Sequence, residues 1–180
     1  MIDQDTGIDF PFFQSQVVSI FGQPDENGPF AKGYLRTMDF SEFADAFSHV
    51  RDWEGNQWSC KIYGNYILEP MLRRAFKAIV DRGLSDQLKS FDGCFNIRRS
   101  KGGNIMSQHS WGIATDWNAT TNPYGQDGDM PPEIIKCFAE CGFESGSLWT
   151  PPGQDFMHFQ ASWVRLRTDG NPLNPVPWVA

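Results

Sequence analysis

Apolar positions recur along the chain at two spacings, one helical and one alternating. Phe40, Phe43, Phe47 and Val50 fall at helical spacing, which predicts a helix from Asp39 to Val50 with Asp39 or Ser41 as its cap. His49 would then meet the last carbonyls of that helix. A clearer helix begins at Pro70, carries Met71, Leu72, Phe76, Ile79 and Val80 on one stripe, and stops at Gly83. A third, Pro131 to Cys141, starts behind Pro-Pro, buries Ile134, Ile135 and Phe138, and ends at Gly142. The first forty residues, broken by Gly22, Pro24, Gly28, Pro29 and Gly33, read as short elements wrapped over a core, with one strand or helix around Gln16 to Phe21.

Alternation marks two strands. From Gly112 to Trp117, residues Ile113, Thr115 and Trp117 face one way and Gly112, Ala114 and Asp116 the other. Asp116 thus shares a face with two very small residues, which leaves space above the strand for an ion and a substrate. From Met157 to Leu166, an apolar face of Met157, Phe159, Ala161 and Trp163 opposes His158, Gln160 and Ser162, which puts His158 on an open, polar face.

Composition narrows the classes. A chain of 180 residues without repeat, low-complexity tract or linker reads as one domain, 1–180, that buries roughly 70% of its unfolded surface. Within it, 1–40 is the irregular wrap and 69–166 the core that carries the chemistry. The net charge of -7 argues against a surface that neutralises nucleic-acid phosphates or sits on anionic lipid. No apolar run is long enough to span a membrane, and the acidic N-terminus lacks the basic start of a secretory signal, so synthesis in the cytoplasm is expected. Cys60, Cys94, Cys137 and Cys141 show no Cys-x-x-Cys spacing and read as free core thiols.

The polar residues on and beside the two strands carry the chemistry. His109, Asp116, Asp155 and His158 offer two imidazoles and two carboxylates. Two His and one Asp can hold a zinc ion with a position left open, and the remaining Asp can stand beside it as a proton acceptor. On a straight strand His109 and Asp116 would lie about 23 Å apart, so the chain must bend, and Gly112 permits a turn at Ser110-Trp111-Gly112. Asp155 and His158 are three apart and would face opposite sides of a regular strand, so Asp155 is expected outside it, at the end of the Pro151-Pro152-Gly153 loop. A competing account of Asp116 is a salt bridge to Arg98.

Ser107, His109, Gly112, Ala114 and Asp116, followed by Asp155 three before His158, resemble the motif of the zinc D-alanyl-D-alanine carboxypeptidases and L-alanyl-D-glutamate endopeptidases. These enzymes, many phage endolysins among them, cut peptidoglycan stem peptides. The likeness runs from about Glu69 to Trp163 and includes the stretch from Gly93 to Arg98. It implies an α+β domain in which a small antiparallel sheet carries the zinc site and helices pack against it. It also implies that His109, Asp116 and His158 ligate one Zn2+, that Asp155 is the general base, that Arg98 binds the substrate carboxylate or stabilises the oxyanion, and that Ser107 helps hold the peptide. Such a protein would act as a monomer on the cell wall, reaching it by release or by an export route other than a signal peptide. Two positions depart from the family: Asp155 stands where many members have Glu, and Gln160 where an acidic residue is common. The rival function is a zinc-stabilised binding module on the same fold, which the hedgehog signalling domains resemble. An amidase that cuts between sugar and peptide would carry a different motif.

Overall fold

The computed structural model describes residues 14–101 and 103–162. These form helices α1 (Gln14–Phe21), α2 (Pro29–Tyr34), α3 (Glu69–Asp81) and α4 (Pro132–Glu140). They also form strands β1 (Leu35–Asp39), β2 (Arg51–Asp52), β3 (Lys61–Asn65), β4 (Ser90–Gly93), β5 (Ala114–Trp117), β6 (Phe143–Gly146) and β7 (Asp155–Ala161). The expected α+β class is the one observed. The strands make two sheets, an antiparallel β1-β3 pair and a five-stranded sheet in the order β2-β4-β5-β7-β6. That larger sheet is antiparallel except at its β2 edge, where β2 runs parallel to β4.

The two best helices form where proline and glycine bound them. α3 has proline in its first turn, buries Met71, Leu72, Ala75, Phe76 and Ile79, and is followed by Gly83 in the left-handed region at φ 67°. α4 likewise opens on proline and is followed by Gly142 at φ 91°, but its buried face is Ile134, Cys137, Phe138 and Ala139, with Ile135 only half-buried. α3 packs on α4, and α4 on β6, which brings the helices against the core side of the large sheet. The wrap expected over 1–40 contains, in its described part, α1, α2 and β1. Residues 1–13, and Trp163 to Leu166 of the second expected strand, lie outside the described residues.

The stretch from Asp39 to Val50 is not an α-helix. A single 3-10 turn covers Ser41–Phe43, and bonded turns then carry the chain to β2. Most of its backbone bonds close three residues back, such as Val50 N to Phe47 O at 2.9 Å. Rings spaced 3 and 4 apart fit such tight turns as well as a helix, because 3-10 geometry has about three residues per turn. The packing that makes these rings apolar is tertiary. Phe40, Phe43 and Phe47 all meet Phe76 edge-on at 5.1, 5.9 and 5.5 Å, and Trp117 of β5 joins the same ring at 5.6 Å. His49 does not meet its own helix end. Its Nε2 lies 3.1 Å from Ser85 O and 3.0 Å from Leu88 O, tying this segment to the chain that leaves α3. The four cysteines are buried free thiols, as expected.

Candidate metal centre

A bend does separate His109 from Asp116, but it starts earlier than Ser110, so His109 lies within the turn and not before it. Ser107 caps a 3-10 turn, Gln108–Trp111, accepting from His109 N at 3.4 Å, and Gly112 closes the turn at φ 62°. The turn is fastened on three sides. Trp111 Nε1 donates to Gly22 O at 2.9 Å, Asn65 N to Gly112 O at 3.0 Å, and Ser107 N to Arg98 O at 2.9 Å. Ser110 Oγ accepts from Arg98 N at 3.0 Å and donates to Arg98 O at 2.9 Å.

Gly112 does not clear space above the strand, which begins only at Ala114. Its own neighbour is β3, where an added Cβ would stand 2.7 Å from Asn65 N and 3.1 Å from Gly64 Cα. Ala114 does share the face of Asp116, and lies directly across the ladder from Gln160. Asp116 lies directly across from His158, so the two side chains rise from one face as a cross-strand pair.

Three ligand atoms converge there. His109 Nε2, Asp116 Oδ1 and His158 Nδ1 form a triangle with all three edges 3.1 Å. Metal bonds of about 2.0 to 2.2 Å in a tetrahedral site separate ligand atoms by about 3.3 to 3.6 Å, so the triangle needs to open by only a few tenths of an ångström to hold an ion. The remaining ring nitrogens face oxygens. His109 Nδ1 lies 2.6 Å from Cys94 O and His158 Nε2 lies 3.1 Å from Gln160 Oε1. A proton donated to each of those oxygens leaves a lone pair on the nitrogen inside the triangle, which is the state a metal requires. These residues can therefore hold a divalent cation.

Burial pushes the Asp116 carboxyl up, but the imidazoles of His109 and His158 outweigh it and hold the group well below the usual carboxylate range. Burial likewise lowers His158, and the hydrogen bond to Asp116 reverses this and raises it. The competing account, an Arg98–Asp116 salt bridge, is not what forms among the described residues, since the ion-pair partners of Asp116 there are the two imidazoles. Arg98 is half-buried beside the turn. The face of His158 is not open. His158 and Gln160 are buried, and the Trp149 indole lies 5.2 Å from the His158 ring with its N–H donated to Glu144 Oε1 at 2.6 Å.

Asp155 lies inside β7, as its first residue, and not in the loop before it. The parity argument fails because the ladder slips. Ser145 pairs with Phe159, yet the next residue, Gly146, pairs with Asp155, so strict alternation does not carry through from His158 to Asp155. Gly146 is needed for this, because a Cβ there would stand 2.5 Å from Asp155 O. Asp155 Oδ1 is buried with no hydrogen-bond partner. Burial pushes the carboxyl up to about 6, against the pull of His158, while Asp116 adds to the rise and Lys101 and His109 oppose it. The loop bearing Lys101 is braced by Tyr124, whose hydroxyl donates to Lys101 O at 2.8 Å, and Gly125 N donates in turn to Gln154 O at 2.8 Å. Sequence reasoning missed the Cys94 carbonyl, Trp149 and the role of Gln160. Only Gln160, by its departure from the family pattern, gave a signal.

Fold and triangle together define an α+β protein whose His109, Asp116 and His158 could hold a metal ion, with an unpartnered carboxylate oxygen of Asp155 nearby. Residues 100–161 match the family model described as D-alanyl-D-alanine carboxypeptidase, one of the activities that the motif resembles. The match spans about a third of the chain and contains Ser107, His109, Asp116, Asp155 and His158, with Arg98 just before it. It points to a peptidase, and so to a peptide substrate. No curated protein and no solved structure matches the chain.

Proposed function

We propose that this protein is a zinc peptidase that hydrolyses a peptide bond in peptidoglycan stem peptides, as a D-Ala-D-Ala carboxypeptidase or an L-Ala-D-Glu endopeptidase acting at the cell wall. The observation that carries this reading is Asp155, a half-buried residue whose Oδ1 is buried without a partner and which feels the charges of all three corners of the triangle. A module that only binds or is only stabilised by metal has no use for such a group, and burying it costs stability.

Zinc held by His109, Asp116 and His158 would supply Lewis-acid polarisation of the peptide carbonyl and acidify the attacking water. Asp155 Oδ1 accepts that water's proton and later returns it to the leaving amine nitrogen. Arg98 presents a fixed positive fork to the substrate carboxylate or to the oxygen that gains charge. Ser107 already caps the turn through a lone pair, and its hydroxyl proton is what would meet the peptide. Among the described residues no helix is long and apolar enough to cross a membrane, which suits a substrate met outside the lipid.

Two results test the reading. Stripping the protein with a chelator should abolish cleavage of a synthetic stem pentapeptide, and one equivalent of zinc should restore it. Cleavage indifferent to stripping would contradict the proposal. The pH profile follows from Asp155, which must be ionised to act. Burial places its carboxyl at about 6 and a bound cation pulls it down, so kcat/KM should climb with pH through an acid limb at or below about 6. A rising limb centred above 7 would assign the base to another group.

A further inference from the structure

His158 uses both ring nitrogens, one towards the triangle and one towards Gln160 Oε1 at 3.1 Å. Gln160 is 3% exposed and is held between β5 and β6, opposite Ala114 on one side and Glu144 on the other. Ala114, with its single methyl, leaves the amide room to lie along the strand against the imidazole. The Trp149 indole packs against the ring at 5.2 Å, tilted by 48°, and is itself tied to Glu144. The imidazole is therefore held by the hydrogen bond at Nε2 and by its contact with the indole.

An amide oxygen only accepts hydrogen bonds, so the imidazole must carry a proton on Nε2, and the neutral ring then has its lone pair on Nδ1. The opposite amide orientation would place an N–H against Nε2, drive the ring proton to Nδ1 and block that corner of the triangle. His109 is set the other way round, with Nδ1 facing the Cys94 carbonyl and Nε2 in the triangle. The two imidazoles thus present opposite nitrogens, and each is set by the oxygen of an uncharged amide.

We propose that Gln160 is a positioning residue that holds His158 as the Nε2–H tautomer and so presents Nδ1 to a divalent cation. The inference rests on the reading of the triangle as a metal site, but not on which bond is cut. An uncharged acceptor orients the ring without adding a negative charge. Asp116 is then the one anionic ligand, and the cation keeps a net positive charge with which to polarise a substrate.

The test uses the full chain and zinc itself. In the zinc-loaded wild type, long-range nitrogen–proton spectra of labelled histidine should show the His158 proton on Nε2 and none on Nδ1. Gln160→Met, which keeps the volume and removes the acceptor, should weaken zinc binding roughly 10- to 100-fold in competition with a chromophoric chelator. Gln160→Glu, which keeps an acceptor, should bind zinc at least as tightly as wild type. A proton on Nδ1, unchanged affinity in Gln160→Met, or a tenfold loss in Gln160→Glu would each overturn the proposal. A wild type that binds zinc as expected but cleaves no stem peptide would overturn the proposed function and leave the role of Gln160 standing.

Discussion

Asp155→Asn should lose cleavage by roughly 10²- to 10⁴-fold while keeping its zinc, because it removes a proton acceptor and no ligand. Asp155 is the group whose loss separates turnover from metal binding, since the triangle of His109, Asp116 and His158 is complete without it. Stability should move the other way. The carboxyl is raised in the folded protein to about 6 from an ordinary 3.8, so its ionisation opposes folding. That penalty is absent below the ordinary value, grows between the two, and is fully present above about 6. Zinc-free Asp155→Asn should therefore melt above zinc-free wild type at pH 7 and level with it at pH 4. Thermal melts of both proteins at the two pH values, beside zinc content and cleavage rate, check the pair of effects. A variant that keeps its activity would remove Asp155 from the role of base, and one that loses its zinc would make it a ligand.

Gly112→Ala should be the most damaging single methyl near the site. The residue is at φ 62°, where a Cβ is strained, and that Cβ would press on Asn65 N at 2.7 Å and Gly64 Cα at 3.1 Å. Both are backbone atoms of β3 and neither can swing aside. The dihedral strain and the overlap together should cost roughly 2–5 kcal/mol. For a chain of this size that lowers Tm by about 5–15 °C. Zinc affinity should fall with it, because Gly112 N donates to His109 O at 2.9 Å and any shift of the turn displaces that ligand. Gly83→Ala is the control. Its φ of 67° is similar, but nothing lies within 4 Å of the added carbon, so it should show the dihedral cost alone. Equal melting temperatures for the two variants would mean that the contact with β3 does not matter.

Local signals were legible where the chain marks its own elements. Pro70 and Gly83 bound α3 within a residue or two, and Pro132 and Gly142 do the same for α4. The need for a bend between His109 and Asp116 followed from length alone, and the turn is there. Facts of pairing were hidden. Nothing near Gly112 in sequence announces that its neighbour is Gly64, on a separate two-stranded sheet. Parity placed Asp155 outside its strand, because the slip that keeps it inside depends on Gly146 of another strand. Alternation told the faces of β7 apart but not their exposure. Whether His158 is open or covered depends on Trp149, which packs against the ring from the segment between β6 and β7. The Asp39–Val50 stretch failed for a related reason, since ring spacing recorded contact with Phe76 and not the backbone that achieves it.

If the triangle holds zinc and Asp155 is the base, the protein should cut a peptide bond in the stem peptide. Zinc-loaded protein incubated with purified peptidoglycan, with released fragments followed by mass spectrometry, addresses it directly. The wild type should release fragments that have gained one water across a peptide bond, either free D-Ala or pieces divided between L-Ala and D-Glu, and Asp155→Asn should release none. Intact stem peptides, or fragments parted only between sugar and peptide, would contradict it.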